Sequence, residues 1–502
     1  MKEGKSNKKE IFIAAIVFTS IVFGVLVGCR TLWSGFHFVD DGEYIVIYIK
    51  KILEGKNYLQ ILKEVLLRDM TVHHRFRPLY YIIRVGLGVT FELNLLAISL
   101  LRGLEIILSM IIIYATARKI NLRIIDSGII TLFITVGPQS AVWWKLGPQE
   151  AAGMWMLPLS IYFLLMFYET EKKKYNFMAL LTCFLFCCYK ETYIAFLPAI
   201  GVIYLLLEQR KEGIAGNEIR FCDLFVFVRN RLGSVMYLLI LFILIIYIWL
   251  IKMQGNHLSY AKISSEVSLY DYLVVQFNNL RMPLRVGSYA LFAFVVVMCF
   301  WKYKKELLRY KLEVILGLYI ILSQMIIYLR TGLEERYVYP WILGVCWLFV
   351  ILVIKTGKLK GYHRKIFYVS LCCLLVYNSG LVIKEANYFT HRGESIASLW
   401  QEVEKISDEN TVILTAFEPY YESDETNYLW FKTKGINKVY HLNKEEYFNI
   451  TNDKDRISFE EVDVILLYDK SDRHYIKEPI LDMEDFTIKE YGTVRMAVRN
   501  DN

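Results

Sequence analysis

IFIAAIVFTSIVFGVLVGC, from Ile11 to Cys29, is an apolar run long enough to cross about 30 Å of hydrocarbon as one α-helix. Similar runs recur over the first four-fifths of the 502 residues, of which 55% are hydrophobic. The predicted spans are 11–29, 94–117, 124–140, 150–168, 177–189, 193–208, 233–252, 284–301, 312–329, 338–355 and 366–384. They predict an all-α polytopic membrane protein with about eleven transmembrane helices.

The distribution of lysine and arginine predicts how these spans are oriented. If the chain starts inside, the basic loops 118–123, 172–174, 210–231, 302–311 and 355–365 all fall on the same side. Because cytoplasmic loops carry the excess of basic residues, we expect a multi-pass protein of the plasma membrane with a cytoplasmic N-terminus. The formal net charge of +8 is therefore explained by basic loops that set the orientation in the membrane, and we predict no binding to nucleic acid. The outer segments are then 30–93, 138–150, 189–192, 252–283, 330–340 and the tail.

The first outer loop carries the sequence FHFVDDGEY from Phe36 to Tyr44, in which Asp40 and Asp41 are adjacent. Two neighbouring carboxylates beside a low-dielectric phase repel each other and are costly to keep. Such a pair suits a cation site, a proton acceptor or a solvated turn. The Asp-Gly step at Gly42 favours the turn.

Further along the same loop, HHRFRPLYY covers 73–81. Pro78 suits the first turn of a helix, and the cationic or titratable residues directly before it are His73, His74, Arg75 and Arg77. They predict either an anion site at a helix N-terminus or side chains that extend to lipid headgroups. The sequence favours neither alternative over the other.

Lys190 and Glu191 lie at a tight outer corner between two predicted spans. One interpretation is a turn held by a local charge pair. We favour the other, in which a fixed ammonium group faces an anionic lipid headgroup.

A second charged outer segment, EERYVYP at 334–340, opens a late span. The guanidinium of Arg336 is a planar donor group suited to phosphate, and Tyr337 lies beside it. A salt bridge from Arg336 to Glu334 or Glu335 is the structural alternative, and it is compatible with phosphate binding.

The composition changes to that of a soluble domain after about Asn387. We predict a transmembrane domain at 1–386 and a small extracytoplasmic α/β domain at 387–502. Its predicted strands include 411–417, 462–468 and 494–499. It contains no glycine-rich phosphate loop and no metal-ligand spacing, so we expect it to bind or shape a substrate rather than to react.

The order of these motifs resembles that of the polytopic GT-C glycosyltransferases, which include protein O-mannosyltransferases and the aminoarabinose transferases of lipid A. The resemblance covers about 11–355. It consists of the early Asp-Asp pair, the Arg-Pro-Leu-Tyr that opens a helix at Arg77, the Lys190–Glu191 corner and the Arg-Tyr-x-x-Pro that starts at Arg336.

The resemblance implies transfer of a sugar from a polyprenyl-phosphate carrier to a cell-envelope glycan, lipid or protein on the outer face of the membrane. By that analogy Asp40 or Asp41 deprotonates the acceptor hydroxyl. The residues that would hold the carrier phosphate are Arg75, Arg77, Lys190 and Arg336. Further candidates for the site are His73, His74, Glu191 and Tyr337.

The residue types agree with this assignment, because a base beside several cations suits attack on an anomeric carbon with a phosphate leaving group. No cofactor is predicted. A divalent metal is compatible with a set of oxygen and imidazole ligands, and that set is Asp40, Asp41, Glu43, His73 and His74.

Two other classes compete with a glycosyltransferase. An envelope polysaccharide polymerase or ligase also combines many spans with charged outer loops, but its arginines are expected in one large late loop. A lipid-linked sugar flippase or transporter needs charged groups near the bilayer midplane and often paired half-helices. Only Arg102 and Glu105 fit that pattern here.

Overall fold

The computed structural model describes residues 8–144, 147, 150–211, 232–253, 273–274, 297, 301–302, 304, 311–327, 338–350, 361–417, 421–443, 446–449, 452–473, 475 and 481–500. The helices of eight or more residues up to 253 are α1 (Lys8–Gly28), α3 (Tyr58–Thr71), α4 (Pro78–Phe91), α5 (Leu95–Lys119), α6 (Ile124–Thr135), α7 (Gly153–Thr170), α8 (Lys173–Tyr189), α9 (Leu197–Lys211) and α10 (Leu232–Met253). The shorter α2 (Gly42–Tyr48) continues into a wider π-helical turn at Ile49–Leu53. After residue 310 follow α11 (Lys311–Ile327), α12 (Val338–Val350), α13 (Tyr362–Ile406) and α14 (Tyr421–Thr433).

Among these ranges, five helical segments are long and apolar enough to cross a membrane: Lys8–Gly28, Leu95–Lys119, Glu150–Thr170, Glu191–Glu208 and Lys365–Ile406. Each predicted span other than 284–301 contains a described helix. The span 284–301 lies almost wholly outside the described residues. The protein is thus predominantly helical with membrane-crossing helices, as the sequence predicts.

The segment 30–93, predicted as the first outer loop, is itself largely helical. α3 begins at a capping box in which Asn57 and Gln60 each bond the other's backbone N–H. α4 begins with Pro78, whose missing N–H is tolerated in the first turn. The loop therefore presents short, regular elements on which side chains are held in fixed places.

The C-terminal part contains a seven-stranded mixed sheet in the order β4-β3-β2-β1-β5-β7-β6. The strands are β1 (Ile413–Thr415), β2 (Val439–Asn443), β3 (Glu446–Asn449), β4 (Asn452–Arg456), β5 (Val464–Tyr468), β6 (Phe486–Tyr491) and β7 (Val494–Arg499). β1 pairs in parallel with both β2 and β5, and α14 makes the crossover from β1 to β2. All five residues of β5 are buried, which explains its continuous apolar sequence.

α13 joins the membrane-spanning part to this sheet. Its 45 residues span about 68 Å at 1.5 Å per residue, which is twice the hydrocarbon thickness. The predicted domain boundary at 386/387 falls inside this helix, and its second half carries Leu399 and Trp400 into the core beneath the sheet.

The same core includes residues of the segment 30–93. Phe36 and Phe38 pack with Trp400, at ring-centroid distances of 5.5 and 6.0 Å, and Phe38 also contacts Phe417. The close approach of Gly393 to Ser34 fits this arrangement, since a Cβ on Gly393 would lie 1.8 Å from the Ser34 carbonyl oxygen. One hydrophobic core therefore holds the turn that carries Asp40 and Asp41 against the C-terminal part.

Candidate active site

A cavity of about 390 Å³ lies where α2, the α3–α4 connection, α4 and α14 meet. Its charged and titratable lining residues are Asp40, Glu43, Arg68, His73, Arg75, Arg77, Arg84, Glu422 and Glu425. Its volume is within the range of pockets that hold small ligands. Four arginines and the carboxylate residues Asp40 and Glu43, all from the segment 30–93, thus share one space.

The structure separates the two adjacent aspartates. Asp41 is fully buried, and its carboxylate accepts hydrogen bonds from the backbone N–H groups of His37 (2.5 Å) and Val39 (3.1 Å). Burial raises the pKa of Asp41 to about 6, against the opposing effect of those N–H groups and of the Arg392 and Arg84 charges. Asp41 organises the turn and does not line the cavity. Its carboxylate therefore does not reach a substrate bound in the cavity.

Asp40 is the member of the pair that lines the cavity. Its backbone is left-handed, with φ of 53°, a conformation that aspartate adopts more readily than most residues. Its carbonyl oxygen accepts a hydrogen bond from Arg84 Nη1 at 2.9 Å, and Arg84 Nη2 donates to the carbonyl of Gly147. A Cβ on Gly147 would lie 1.9 Å from the Val39 oxygen, so the chain passes closely over this turn.

Arg84 was not singled out in the sequence, although a signal was present. It follows Arg77 by seven residues, two helical turns, and therefore lies on the same face of α4. Its guanidinium is buried and stacks over the rings of Tyr44 and Tyr80, at 4.4 and 4.9 Å from their centroids. These contacts fix Arg84 as a support for the Asp40 turn.

The predicted phosphate-binding arginines of the first loop both line the cavity. Arg77 is buried and pairs through two nitrogens with the Asp69 carboxylate, and it donates to the Tyr81 hydroxyl at 3.2 Å. Its charge is therefore largely balanced by Asp69. Arg75, whose backbone N–H bonds the Asp69 carbonyl at 3.0 Å, is half-buried at the cavity wall.

Glu43 is a second carboxylate of the cavity. It accepts hydrogen bonds from the Tyr80 hydroxyl at 2.6 Å and from the Tyr81 hydroxyl at 3.2 Å, and lies 3.9 Å from Arg84. Sequence reasoning placed Glu43 only among possible metal ligands. The feature of the sequence that could have indicated this site is the pair of tyrosines after Pro78, whose hydroxyl groups donate to Glu43.

The two candidate histidines differ in position. His73 lines the cavity, and its pKa is lowered by burial and by the charges of Arg68, Arg75 and Arg77, against the opposing effect of Asp69. These effects favour the neutral form of the His73 imidazole. His74 has a left-handed backbone (φ of 50°), and its buried Nδ1 has no hydrogen-bond partner among the described residues.

Lys190 lies away from this lining. Its ammonium group forms a buried ion pair with Glu150, 40 residues earlier. The negative charge of the adjacent Glu191 contributes to the raised pKa of Arg77. Glu191 is therefore near the cavity, whereas Lys190 does not line it. Arg336 and Tyr337 lie outside the described residues.

The possible metal ligands of the first loop do not converge. No group of three or more histidine, cysteine, aspartate or glutamate side chains in the described part of the chain is arranged to hold a metal ion. Asp41 in particular uses both carboxylate oxygens on backbone N–H groups.

The C-terminal wall of the cavity consists of residues that sequence reasoning missed: Glu422, Glu425, Thr426 and Leu429, all on α14. Glu422 accepts a hydrogen bond from the backbone N–H of Asp40, across 382 residues of chain. No local pattern predicts such a contact.

No protein-family model matches this chain, and no curated protein matches its sequence. Solved structures similar to this chain include two of ArnT from Cupriavidus metallidurans. The structure of ArnT bound to undecaprenyl phosphate has a TM-score of 0.49 and 12% identity, and covers 96% of this chain and 97% of that chain. The apo structure of ArnT gives 0.46 and 13% with the same coverage.

Proposed function

We propose that this protein is a membrane glycosyltransferase that moves a sugar from a polyprenyl-phosphate-linked donor to a cell-envelope glycan, lipid or protein at the outer face. The observation that carries the proposal is the single cavity in which Asp40 faces a cluster of arginines. The donor class follows from the resemblance of the motifs to GT-C enzymes.

In this reaction the acceptor hydroxyl attacks the anomeric carbon, and the bond from that carbon to the phosphate oxygen breaks. Asp40 takes the hydroxyl proton as general base. The carrier phosphate leaves with the bonding electrons, and the positive field of Arg75, Arg77 and Arg68 stabilises its charge. Arg75 and Arg77 are the phosphate ligands predicted from the first loop, and both line the same cavity as Asp40.

Lys190 and Arg336 keep different places in the proposal. Lys190, paired with Glu150, supports the rim of the cavity rather than binding phosphate directly. Arg336 remains a second phosphate ligand by analogy of its Arg-Tyr-x-x-Pro motif. No metal takes part in the proposed steps.

The proposal places about eleven helices across the plasma membrane, with the N-terminus inside. The cavity and the domain after about residue 387 are outside. A carrier lipid would then present its phosphate to the cavity from the outer leaflet.

The test uses purified protein in nanodiscs, a panel of labelled polyprenyl-phosphate-linked sugars, and an envelope extract as the source of acceptors. We expect release of free carrier phosphate together with label in the acceptor fraction. Asp40→Asn keeps the shape and removes the basicity, so turnover should fall by about 10²–10⁴-fold with carrier-lipid binding unchanged. Arg75→Ala should instead weaken donor binding.

Arg30→Ala is the matched control, because Arg30 is exposed on the outer side and pairs with Glu394. An Asp40→Asn protein that transfers sugar within a few-fold of wild type would contradict the role of Asp40. Movement of intact donor across vesicles without release of carrier phosphate would identify a transporter instead.

A further inference from the structure

We propose that the C-terminal part completes the active site, with Glu422 as the positioning residue that holds the Asp40 turn. This inference rests on the proposed function and names a residue on which the base depends. Glu422 lies in the first turn of α14, in the part of the chain that the motif resemblance does not cover.

The backbone of Asp40 is held from two directions. Glu422 accepts its N–H, and Arg84 donates to its carbonyl oxygen at 2.9 Å. Because a left-handed aspartate is less favourable than the ordinary backbone conformations, it needs surrounding contacts to persist. Removing the Glu422 contact frees the N–H and lets the turn relax, which moves the carboxylate that lines the cavity.

The contact is supported by unusually close packing of two helices. A Cβ on Gly42, at the start of α2, would lie 2.5 Å from Thr426 Oγ1 on α14. Thr426 Oγ1 also donates to the carbonyl oxygen of Glu422 at 2.7 Å, which fixes the first turn of α14 beside the Asp40 turn. The absence of a side chain at Gly42 is what allows Glu422 to reach Asp40.

A second polar contact crosses the same boundary. Arg68 on α3 pairs with Glu425 on α14 at 3.2 Å, and both residues line the cavity. The cavity is therefore bounded by both halves of the chain, and α14 forms one of its walls.

The experiment compares Glu422→Ala and Glu422→Gln with wild type in nanodiscs. Glutamine retains an oxygen that accepts the Asp40 N–H, and alanine does not. A displacement of about 1 Å can cost on the order of 10²-fold in rate. We expect turnover per bound carrier lipid to fall at least about 10-fold in Glu422→Ala, with the donor KM within about twofold of wild type and most turnover restored in Glu422→Gln.

Glu404→Ala is the matched control. Glu404 accepts a hydrogen bond from Trp430 of α14 at 2.7 Å but does not line the cavity. Glu404→Ala removes a side-chain hydrogen bond between α13 and α14 but leaves the Asp40 contact intact. Turnover per bound carrier lipid should therefore stay within about twofold of wild type. An equal loss in Glu404→Ala would show that general loosening of α14, rather than the Asp40 contact, lowers the rate.

A second readout separates this inference from the proposed function. Hydrogen exchange in the peptide that spans Phe38 to Gly42 should be faster in Glu422→Ala and close to wild type in Glu422→Gln. Unchanged exchange in Glu422→Ala would overturn the positioning role. A wild-type protein that does not use the donor, but shows this difference in exchange, would contradict the proposed reaction and support the contact.

Discussion

At the scale of single residues, Asp41 stabilises the turn that displays Asp40. Its two carboxylate oxygens accept the backbone N–H groups of His37 and Val39, and the His37 ring lies with Nδ1 3.8 Å from Asp41 Oδ2. The ring of His37 in turn packs edge-on against Phe389 of α13. A buried carboxylate of this kind ties the loop to the long helix.

The raised pKa of Asp41 makes a prediction about stability and pH. An aspartate has an ordinary pKa of 3.8, and that of Asp41 is about 6 in the folded protein. The folded protein therefore binds this proton more tightly than the unfolded chain does, so the stability contributed by Asp41 is highest at low pH and falls as the pH rises between these two values.

Asp41→Asn removes this titration. The unfolding temperature of wild type minus that of Asp41→Asn should be largest near pH 4 and should decrease up to about pH 6. It should be constant above that pH. The measurement is thermal unfolding of both proteins in the same detergent over this range. A difference that grows with pH would mean that the Asp41 carboxylate is stabilised as the anion in the folded state.

The sequence predicts that Asp40 or Asp41 acts as the base, but it does not reveal the environments of the two side chains. The Asp-Gly step predicts a turn, and in the structure both carboxylate oxygens of Asp41 accept backbone N–H groups of this turn. The partners of Arg77 and Lys190 were beyond the reach of sequence reasoning, because Asp69 and Glu150 are brought to them only by tertiary structure. Charged residues that look available in a loop can thus be neutralised by a distant acid.

At the scale of elements, α4 shows how much a helix period can predict. Arg77 precedes the helix, and Tyr80, Tyr81 and Arg84 follow at spacings of three, four and seven residues, which places them on one face. All four are buried near the cavity. The docking of α14 on α2 carries no comparable signal, since Gly42 could equally have served the turn alone.

That docking gives a prediction based on packing. Gly42→Ala places a methyl group against Thr426 Oγ1, and overpacking of this kind costs about 1–3 kcal/mol. We expect a lower unfolding temperature and lower turnover. Thr426→Ala removes the opposing hydroxyl and methyl, so the Gly42→Ala/Thr426→Ala double variant should recover much of the loss.

The matched control is Gly42→Ala/Thr426→Ser, which keeps the hydroxyl at the point of closest approach and should recover little. Unfolding temperature and turnover of the three variants provide the measurement. No recovery with either alanine or serine would show that the effect of Gly42→Ala arises from the backbone of α2 and not from contact with α14. Equal recovery with both would mean that the added methyl group clashes with the Thr426 methyl group rather than with its hydroxyl.

At the scale of the whole molecule, α13 is the element that the sequence divided wrongly. The sequence predicts a span that ends at residue 384 and a separate soluble domain from residue 387, whereas the structure has one continuous helix, Tyr362–Ile406. The change from apolar to polar composition is expected where the helix leaves the membrane, and the helical backbone continues past it because no proline interrupts the segment. Gly393 instead allows the close approach to Ser34.

The three strands predicted near 411, 462 and 494 are present as β1, β5 and β7, because their apolar runs are buried in the sheet. The remaining strands of the sheet include β4, whose sequence Asn452–Arg456 is wholly polar or charged. Such an edge strand is held by pairing to its neighbour rather than by its own composition, so no hydrophobic pattern reveals it.

The last prediction concerns the side of the membrane on which the cavity lies. The basic loops predict a cytoplasmic N-terminus, and an odd number of crossings then puts α14 and the sheet outside.

Two exposed positions test this assignment: Lys173, at the start of α8 in a predicted inner loop, and Glu409, in the turn after α13. In intact spheroplasts, a membrane-impermeant maleimide should modify Glu409→Cys, and should modify Lys173→Cys only after permeabilisation. Wild type controls for native thiols, of which Cys29, Cys183, Cys187, Cys188 and Cys346 are buried. Labelling of Lys173→Cys alone in intact spheroplasts would invert the topology and place the cavity in the cytoplasm, where a donor carried in the outer leaflet could not reach Asp40.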